Sequence, residues 1–183
     1  SAAACVTANA ATRATVVTNS DGRNQREEVA ARMRGMVCPA SRLGNCAAYN
    51  PRMSSAEHRA LAPRAVACAV LTVSDTRTED TDTAGRAIAA LLAEAGHTVV
   101  ARAIVRDEPA EIGAALDRWL GSPDVEAILS TGGTGISRRD STIEVVERRL
   151  EKRLDGFGEL FRMLSYREIG AAAMMSRACA GLL

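Results

Sequence analysis

Val125-Glu126-Ala127-Ile128-Leu129-Ser130-Thr131-Gly132-Gly133-Thr134-Gly135-Ile136-Ser137-Arg138-Arg139-Asp140-Ser141-Thr142 is the stretch that decides how this chain folds. Its opening apolar run has the length and composition of a buried strand, and from Thr142 onward apolar residues recur with a period near four, as on a helix. The middle is therefore a strand-to-helix turn. Glycines at 132, 133 and 135 permit positive φ and let the backbone approach a ligand closely, so that successive N–H groups converge on an anion. Ser141-Thr142-Ile143-Glu144 fits a capping box, with Ser141 as N-cap and Glu144 reaching back to it. Arg138 and Arg139 add fixed positive charge, and Asp140 is placed to hold a cation or orient a donor.

Such a turn suits phosphate. It is not a P-loop, since no Gly-Lys-Ser/Thr follows, nor the dinucleotide Gly-x-Gly-x-x-Gly. Thr-Gly-Gly-Thr also opens asparaginases, where it supplies a threonine nucleophile near the start of a much longer chain. The Arg139-Asp140 pair favours phosphate over that rival.

Working outward, Val66 to Ser74 is a continuous apolar run ending in polar residues, the pattern of a central parallel strand. Asp82 is placed to cap a helix whose Ile88, Leu91, Leu92 and Ala95 share a face, and Gly96 ends it. Thr98 to Val105 is the next β-branched run. Pro109 marks the first position of a second helix, with Ile112, Ala115, Leu116 and Trp119 as its buried stripe. Strand, helix, strand, helix, strand at this spacing predicts right-handed parallel crossovers. The fold class is α/β: a three-layer, doubly wound, mostly parallel sheet with helices on both faces. Ligands in such sheets sit beyond the carboxyl ends of the strands, where Ser74-Asp75, Asp107-Glu108 and the 131–140 loop all fall. Further on, the periodicity predicts a third helix over 142–154 and a later helical stretch that includes Ser176, Arg177 and Cys179, with Phe157, Leu160, Phe161 and Leu164 as packing residues.

Composition narrows the function. The 183 residues carry 23 basic against 22 acidic side chains, with arginine dominant and lysine nearly absent, so no polybasic patch points to nucleic acid or acidic lipid. Aromatics are 3% of the chain, too few for stacking platforms. Cys5, Cys38, Cys46, Cys68 and Cys179 are scattered without a C-x-x-C pair, and His58 and His97 lack partners at ligand spacing, so neither a disulfide framework nor a zinc site is expected. No run reaches the length of a membrane helix. The expected compartment is the cytoplasm.

Six motifs in order carry a family resemblance: Thr72-Val73-Ser74-Asp75, Asp82-Thr83-Ala84-Gly85, Asp107-Glu108, Thr131-Gly132-Gly133-Thr134-Gly135 with Arg139-Asp140-Ser141-Thr142, Gly156-Phe157-Gly158-Glu159 with Arg162, and Ser176-Arg177. From about Ala65 onward the chain resembles the molybdopterin adenylyltransferases of molybdenum-cofactor biosynthesis, the MoaB- and MogA-like proteins and the G domains of Cnx and gephyrin. The resemblance implies a homotrimer or homohexamer that binds molybdopterin and uses MgATP to adenylylate it, releasing pyrophosphate. It assigns Asp107 and Asp140 to catalysis and to Mg²⁺, and Ser74 and Asp82 to nucleotide or pterin handling. The turn from Thr131 through Gly132, Gly133, Thr134 and Gly135 takes phosphate. Arg139, Arg162, Ser176 and Arg177 are anion contacts, and Asp75, Gly85, Thr142 and Glu159 complete the substrate-binding set. A non-catalytic molybdopterin-binding or assembly protein of the same fold is the alternative.

The expected organisation is an N-terminal extension over 1–62, mostly disordered, and a molybdopterin-binding domain over 63–183. The composition changes near Met53, which is read as the natural start, and a helix is suggested around Val29, Met33, Met36 and Val37. The family continues after Ser-Arg-Ala-x-Ala-Gly with another strand and a Pro-Gly-Ser/Asn-Pro loop, so the resemblance implies truncation at Gly181-Leu182-Leu183.

Overall fold

The computed structural model describes residues 65–183 together with three strands of the preceding segment, β1 (Val6–Asn9), β2 (Ala14–Thr18) and β3 (Val37–Ala40). The remaining elements are β4 (Ala67–Val73), α1 (Thr83–Glu94), β5 (Thr98–Val105), α2 (Pro109–Leu120), β6 (Ala127–Thr131), α3 (Thr142–Glu147), β7 (Lys152–Arg153), α4 (Asp155–Ile169), a 3₁₀ segment (Gly170–Met175) and β8 (Cys179–Leu182). The main sheet runs β5-β4-β6-β2-β8-β7. β4 pairs parallel with β5 and with β6, and β2 pairs parallel with β6, while β8 is antiparallel to both β2 and β7. β1 and β3 form a separate parallel pair. The mostly parallel, doubly wound sheet read from the sequence is thus observed. The suggested helix near Val29 lies outside the described residues except at its end, where Val37 begins β3.

β4 shows why the sheet needs two helical layers. Its residues alternate between faces, yet all but the first are buried. Cys68 and Val70, with Ala127 and Leu129 of β6, pack under Ile88, Leu91 and Leu92 of α1 and Phe157 and Phe161 of α4. Ala69, Leu71 and Val73, with Ile128, pack under Ile112, Ala115, Leu116 and Trp119 of α2 and Ile143, Val145 and Val146 of α3. Each fully buried Leu or Ile in these layers contributes roughly 1.5–3 kcal/mol. Phe157 and Phe161 stack on one another with centroids 6.3 Å apart and face from α4 into this layer.

The winding creates the crevice. From β4 the chain passes through α1 to β5 on one side, then returns through α2 on the other face to β6. The strand order reverses between β4 and β6, and the loops that follow these two strands face one another at the carboxyl edge.

The later elements depart from the sequence reading. The third helix stops at Glu147 rather than 154, and Lys152–Arg153 instead forms an exposed edge strand against β8. Positive φ at Gly170 ends α4, so Ser176 and Arg177 lie between the 3₁₀ segment and β8 rather than in a helix, and Cys179 lies in a strand. Of the anticipated packing residues, Phe157 and Phe161 are buried while Leu160 is exposed.

Candidate functional site

The glycine turn is locked from beneath and from the side. Gly132 has φ +94°, and a Cβ there would lie 2.0 Å from the Val73 carbonyl oxygen. Gly133 has φ +58°, and a Cβ there would lie 2.2 Å from Thr142 Oγ1 and 2.8 Å from Asp107 Oδ2. Only glycine lets the end of β6 pass so close to β4 and lets Asp107 and Thr142 pack directly against the turn's backbone. The Thr142 side chain is fully buried, and its hydroxyl has no hydrogen-bond partner among the described residues. Beside Gly135, the Asp140 carboxylate accepts the Ser137 N–H at 2.7 Å and folds the loop back on itself.

The acidic residues gather on this turn. Asp107 Oδ1 accepts both the N–H and the hydroxyl of Ser141, at 3.3 and 3.2 Å, and the Asp107 N–H donates to Asp75 at 3.3 Å. Burial pushes the Asp107 carboxyl above its ordinary value, with the charges of Asp140 and Asp75 adding, while the two Ser141 hydrogen bonds act the other way. Carboxylates gathered this closely form an oxygen-donor set suited to a hard cation. Mg²⁺ typically takes one or two carboxylates and completes its shell with water and phosphate oxygens. Asp107, with Asp140 nearby, fits that pattern. Among the described residues no cluster of three or more His, Cys, Asp or Glu side chains forms a cage.

The arginines behave differently from one another. Arg139 pairs with Asp75 at 3.1 Å and with Glu108 at 3.2 Å, tying the loops after β4, β5 and β6 together. Arg177 donates to the carbonyls of Thr134, Gly135 and Asp140 and pairs with Glu144, so it acts as a strut under the turn. Ser141 and Glu144 accordingly do not form the anticipated capping box: Ser141 makes no side-chain cap and bonds Asp107 instead. These long-range ties were hidden because local capping spacing says nothing of partners more than thirty residues away.

Asp82 and Gly85 form a second cluster. The Asp82 carboxylate, in a residue 1% exposed, accepts the Gly85 N–H at 2.8 Å, the Thr72 hydroxyl at 3.0 Å and Arg102 at 3.2 Å. It caps α1 and anchors it to β4. Ser74 Oγ accepts the N–H groups of Thr76 and Arg77 and shapes its own loop. Ser176 is buried beside Arg177. Glu159 and Arg162 lie on α4 with no hydrogen bond or ion pair between them among the described residues, and the Arg162 guanidinium lies against Gly158. The structure thus brings together Ser74, Asp75, Asp107, Thr131, Gly132, Gly133, Thr134, Gly135, Arg139, Asp140, Thr142 and Arg177, and sets Asp82 and Gly85 at the adjoining helix start, with Glu159 and Arg162 on α4.

A wound parallel sheet with acidic and glycine-rich loops facing across its strand reversal defines an α/β protein of the kind that takes its ligand at that edge. A sequence model described as a probable molybdopterin binding domain matches residues 69–182. Molybdenum cofactor biosynthesis protein B of Bacillus anthracis is 50% identical over 132 residues, which cover 72% of this chain and 78% of that protein. The crystal structure of a molybdenum cofactor biosynthesis protein B superposes with a TM-score of 0.63 at 50% identity, over 66% of this chain and 75% of that one. The tungsten cofactor synthesizing protein MoaB from Pyrococcus furiosus gives 0.58 at 39% identity, over 66% and 74%. The chain belongs to the molybdopterin-binding domain family of molybdenum cofactor biosynthesis proteins.

Proposed function

We propose that this chain transfers AMP from ATP to molybdopterin and releases pyrophosphate. The observation that carries the reading is the close approach at Gly133, where the lack of a side chain lets the Asp107 carboxylate and the unpartnered Thr142 hydroxyl come against the backbone of the turn. The terminal phosphate of molybdopterin is itself the nucleophile: its oxygen attacks the α-phosphorus of ATP as the bond to the pyrophosphate oxygen breaks. No protein nucleophile is required, and the chain contributes alignment and charge neutralisation. The Thr142 hydroxyl and the N–H groups of the turn would hold phosphate oxygens. Asp107 and Asp140 would hold Mg²⁺, which when bound supplies a Lewis acid for the reacting phosphates. Arg139 fixes the three loops at the spacing this requires, and Arg177 holds the turn from below. Ser74, Asp75, Asp82, Gly85, Glu159, Arg162 and Ser176 complete the substrate-binding set implied by the motifs.

The reading extends to assembly and compartment. Leu160, Met163, Tyr166, Ile169, Met174 and Met175 are exposed on α4 and the segment after it, an apolar strip that a homotrimer or homohexamer would cover. Among the described residues no helix is long and apolar enough to cross a membrane. We place the protein in the cytoplasm, with no nucleic-acid partner.

The test is turnover of molybdopterin with MgATP, read as pyrophosphate release. Asp140→Asn retains an oxygen to accept the Ser137 N–H and should keep its circular dichroism while losing roughly 100-fold in turnover, the scale of one electrostatic contribution. Unchanged turnover would remove Asp140 from catalysis. The second reading, a binding or assembly protein without turnover, is favoured by the internal pairing of Arg139 and Arg177. It predicts molybdopterin binding with no pyrophosphate released.

A further inference from the structure

Two cavities flank the acidic cluster, and they differ in charge. One, about 380 Å³, lies over the loop after β4 and is lined by Arg77 and Arg106 against Asp75, Glu79 and Glu111. Its arginines are engaged: Arg106 pairs with Glu111, and Arg77 donates to the Thr81 carbonyl at 3.1 Å. The other, about 440 Å³, lies beside the glycine turn and α3 and is lined by Arg138, Arg148 and Arg177 against Asp140 and Glu144, with Ser137 and Ser141 between them. Arg177 and Glu144 pair with one another. Among the described residues the guanidinium groups of Arg138 and Arg148 have no hydrogen bond or ion pair. The first cavity is acidic with its cations engaged, whereas the second is basic, with Arg138 and Arg148 free of hydrogen bonds and ion pairs among the described residues although the Arg148 charge acts on Glu144.

We propose that the cavity between Arg138 and Arg148 is a subsite for the phosphate end of a ligand, taking a pyrophosphate or phosphomonoester dianion against Ser137 and Ser141. Its volume is in the range of small-ligand pockets, and planar guanidinium forks bind phosphate oxygens in pairs. The subsite opens directly onto Asp140 and Ser141, and Ser141 bonds Asp107, so an anion seated there lies one residue from the carboxylate pair. Arg148 comes from the end of α3 and Arg138 from the loop before it, so both of these arginines belong to the segment that follows β6, while Arg177 reaches the cavity from the approach to β8. By sequence Arg138 is read only as positive charge on the phosphate turn, and Arg148 is not placed at a ligand. The proposal rests on the adenylyl-transfer reading only for the identity of the larger ligand, since the anion site itself follows from charge and geometry.

The probe is inorganic pyrophosphate, titrated calorimetrically into the full chain at low and high salt. The parent should bind it, less tightly at high salt. Arg138→Ala/Arg148→Ala should weaken binding by roughly 10- to 100-fold, the scale of one or two charged hydrogen bonds. Arg148→Lys in the parent background should lose less than Arg148→Ala, and Arg77→Ala in the acidic cavity should leave affinity unchanged. Absence of binding to the parent, equal binding to the double variant, or an equal loss in Arg77→Ala would each overturn the proposal. The two readings fail separately. Arginine-dependent pyrophosphate binding without molybdopterin turnover retains the subsite and removes adenylyl transfer. Turnover whose KM values for both substrates are indifferent to the double variant removes the subsite and retains the reaction.

Discussion

Asp82 illustrates how a motif residue acquires a structural meaning. Its carboxylate satisfies the first turn of α1 through Gly85, ties that turn to β4 through Thr72, and meets the half-exposed Arg102. Asp82→Ala removes an N-cap and leaves the Thr72 hydroxyl buried without this acceptor. We expect a loss of about 1–3 kcal/mol in urea denaturation, whereas Asp82→Asn, which keeps an acceptor for the Gly85 N–H, should lose less. Equal stability of the alanine variant and the parent would show that the cap is dispensable. The capping role was legible in Asp82-Thr83-Ala84-Gly85, because a side-chain acceptor just before an apolar helical pattern acts locally. The bond from Ser141 to Asp107 and the pairing of Glu144 with Arg177 were not legible, since both depend on which loops the sheet brings face to face.

The glycine turn was readable as an element, and so was its place after a buried strand. β4, β5, α1 and α2 follow the predicted runs closely, because continuous β-branched stretches and a clean apolar stripe leave one period each. The later elements were harder. Leu150 to Leu154 carries helix-forming residues, yet β8 offers a ladder to Lys152–Arg153 and the exposed charged pair suits a sheet edge. Cys179-Ala180-Gly181-Leu182 is small and of ambiguous period, and becomes a strand through pairing with β2 and β7. Glycine substitutions separate the turn from ordinary helix. Gly132→Ala meets both positive φ and the Val73 carbonyl, and should cost at least the roughly 1–3 kcal/mol of backbone strain. Gly156→Ala, in the first turn of α4 with nothing within 4 Å of its added carbon, should instead stabilise by about 0.4–1 kcal/mol. Thermal denaturation of the two variants should move in opposite directions.

At the scale of the molecule, charge pairs around α2 and α3 set the acid limit of stability. Burial opposes ionisation of Glu144, but the Arg177 hydrogen bond and the charges of Arg177 and Arg148 outweigh it and hold its pKa below the ordinary value. Hydrogen bonds from Arg149 lower Asp117 as well. Both carboxylates remain partly exposed, so solvent screens each contribution. A lowered carboxyl pKa stabilises the fold above the unfolded-state value, and the contribution is lost as pH falls through the folded-state value. The melting temperature difference between the parent and Glu144→Gln/Asp117→Asn should therefore be largest near neutrality and shrink in acid below the ordinary carboxylate range. A difference that grows on acidification would reverse the assigned sign. The sheet order has a further consequence for biosynthesis. β2 leaves the ribosome before either neighbour, β6 or β8, has been made, and it lies between them. Its backbone groups on both sides must wait until β6 and β8 have been made, so this seam of the sheet closes only after translation has passed β8, in one late step across a long sequence separation.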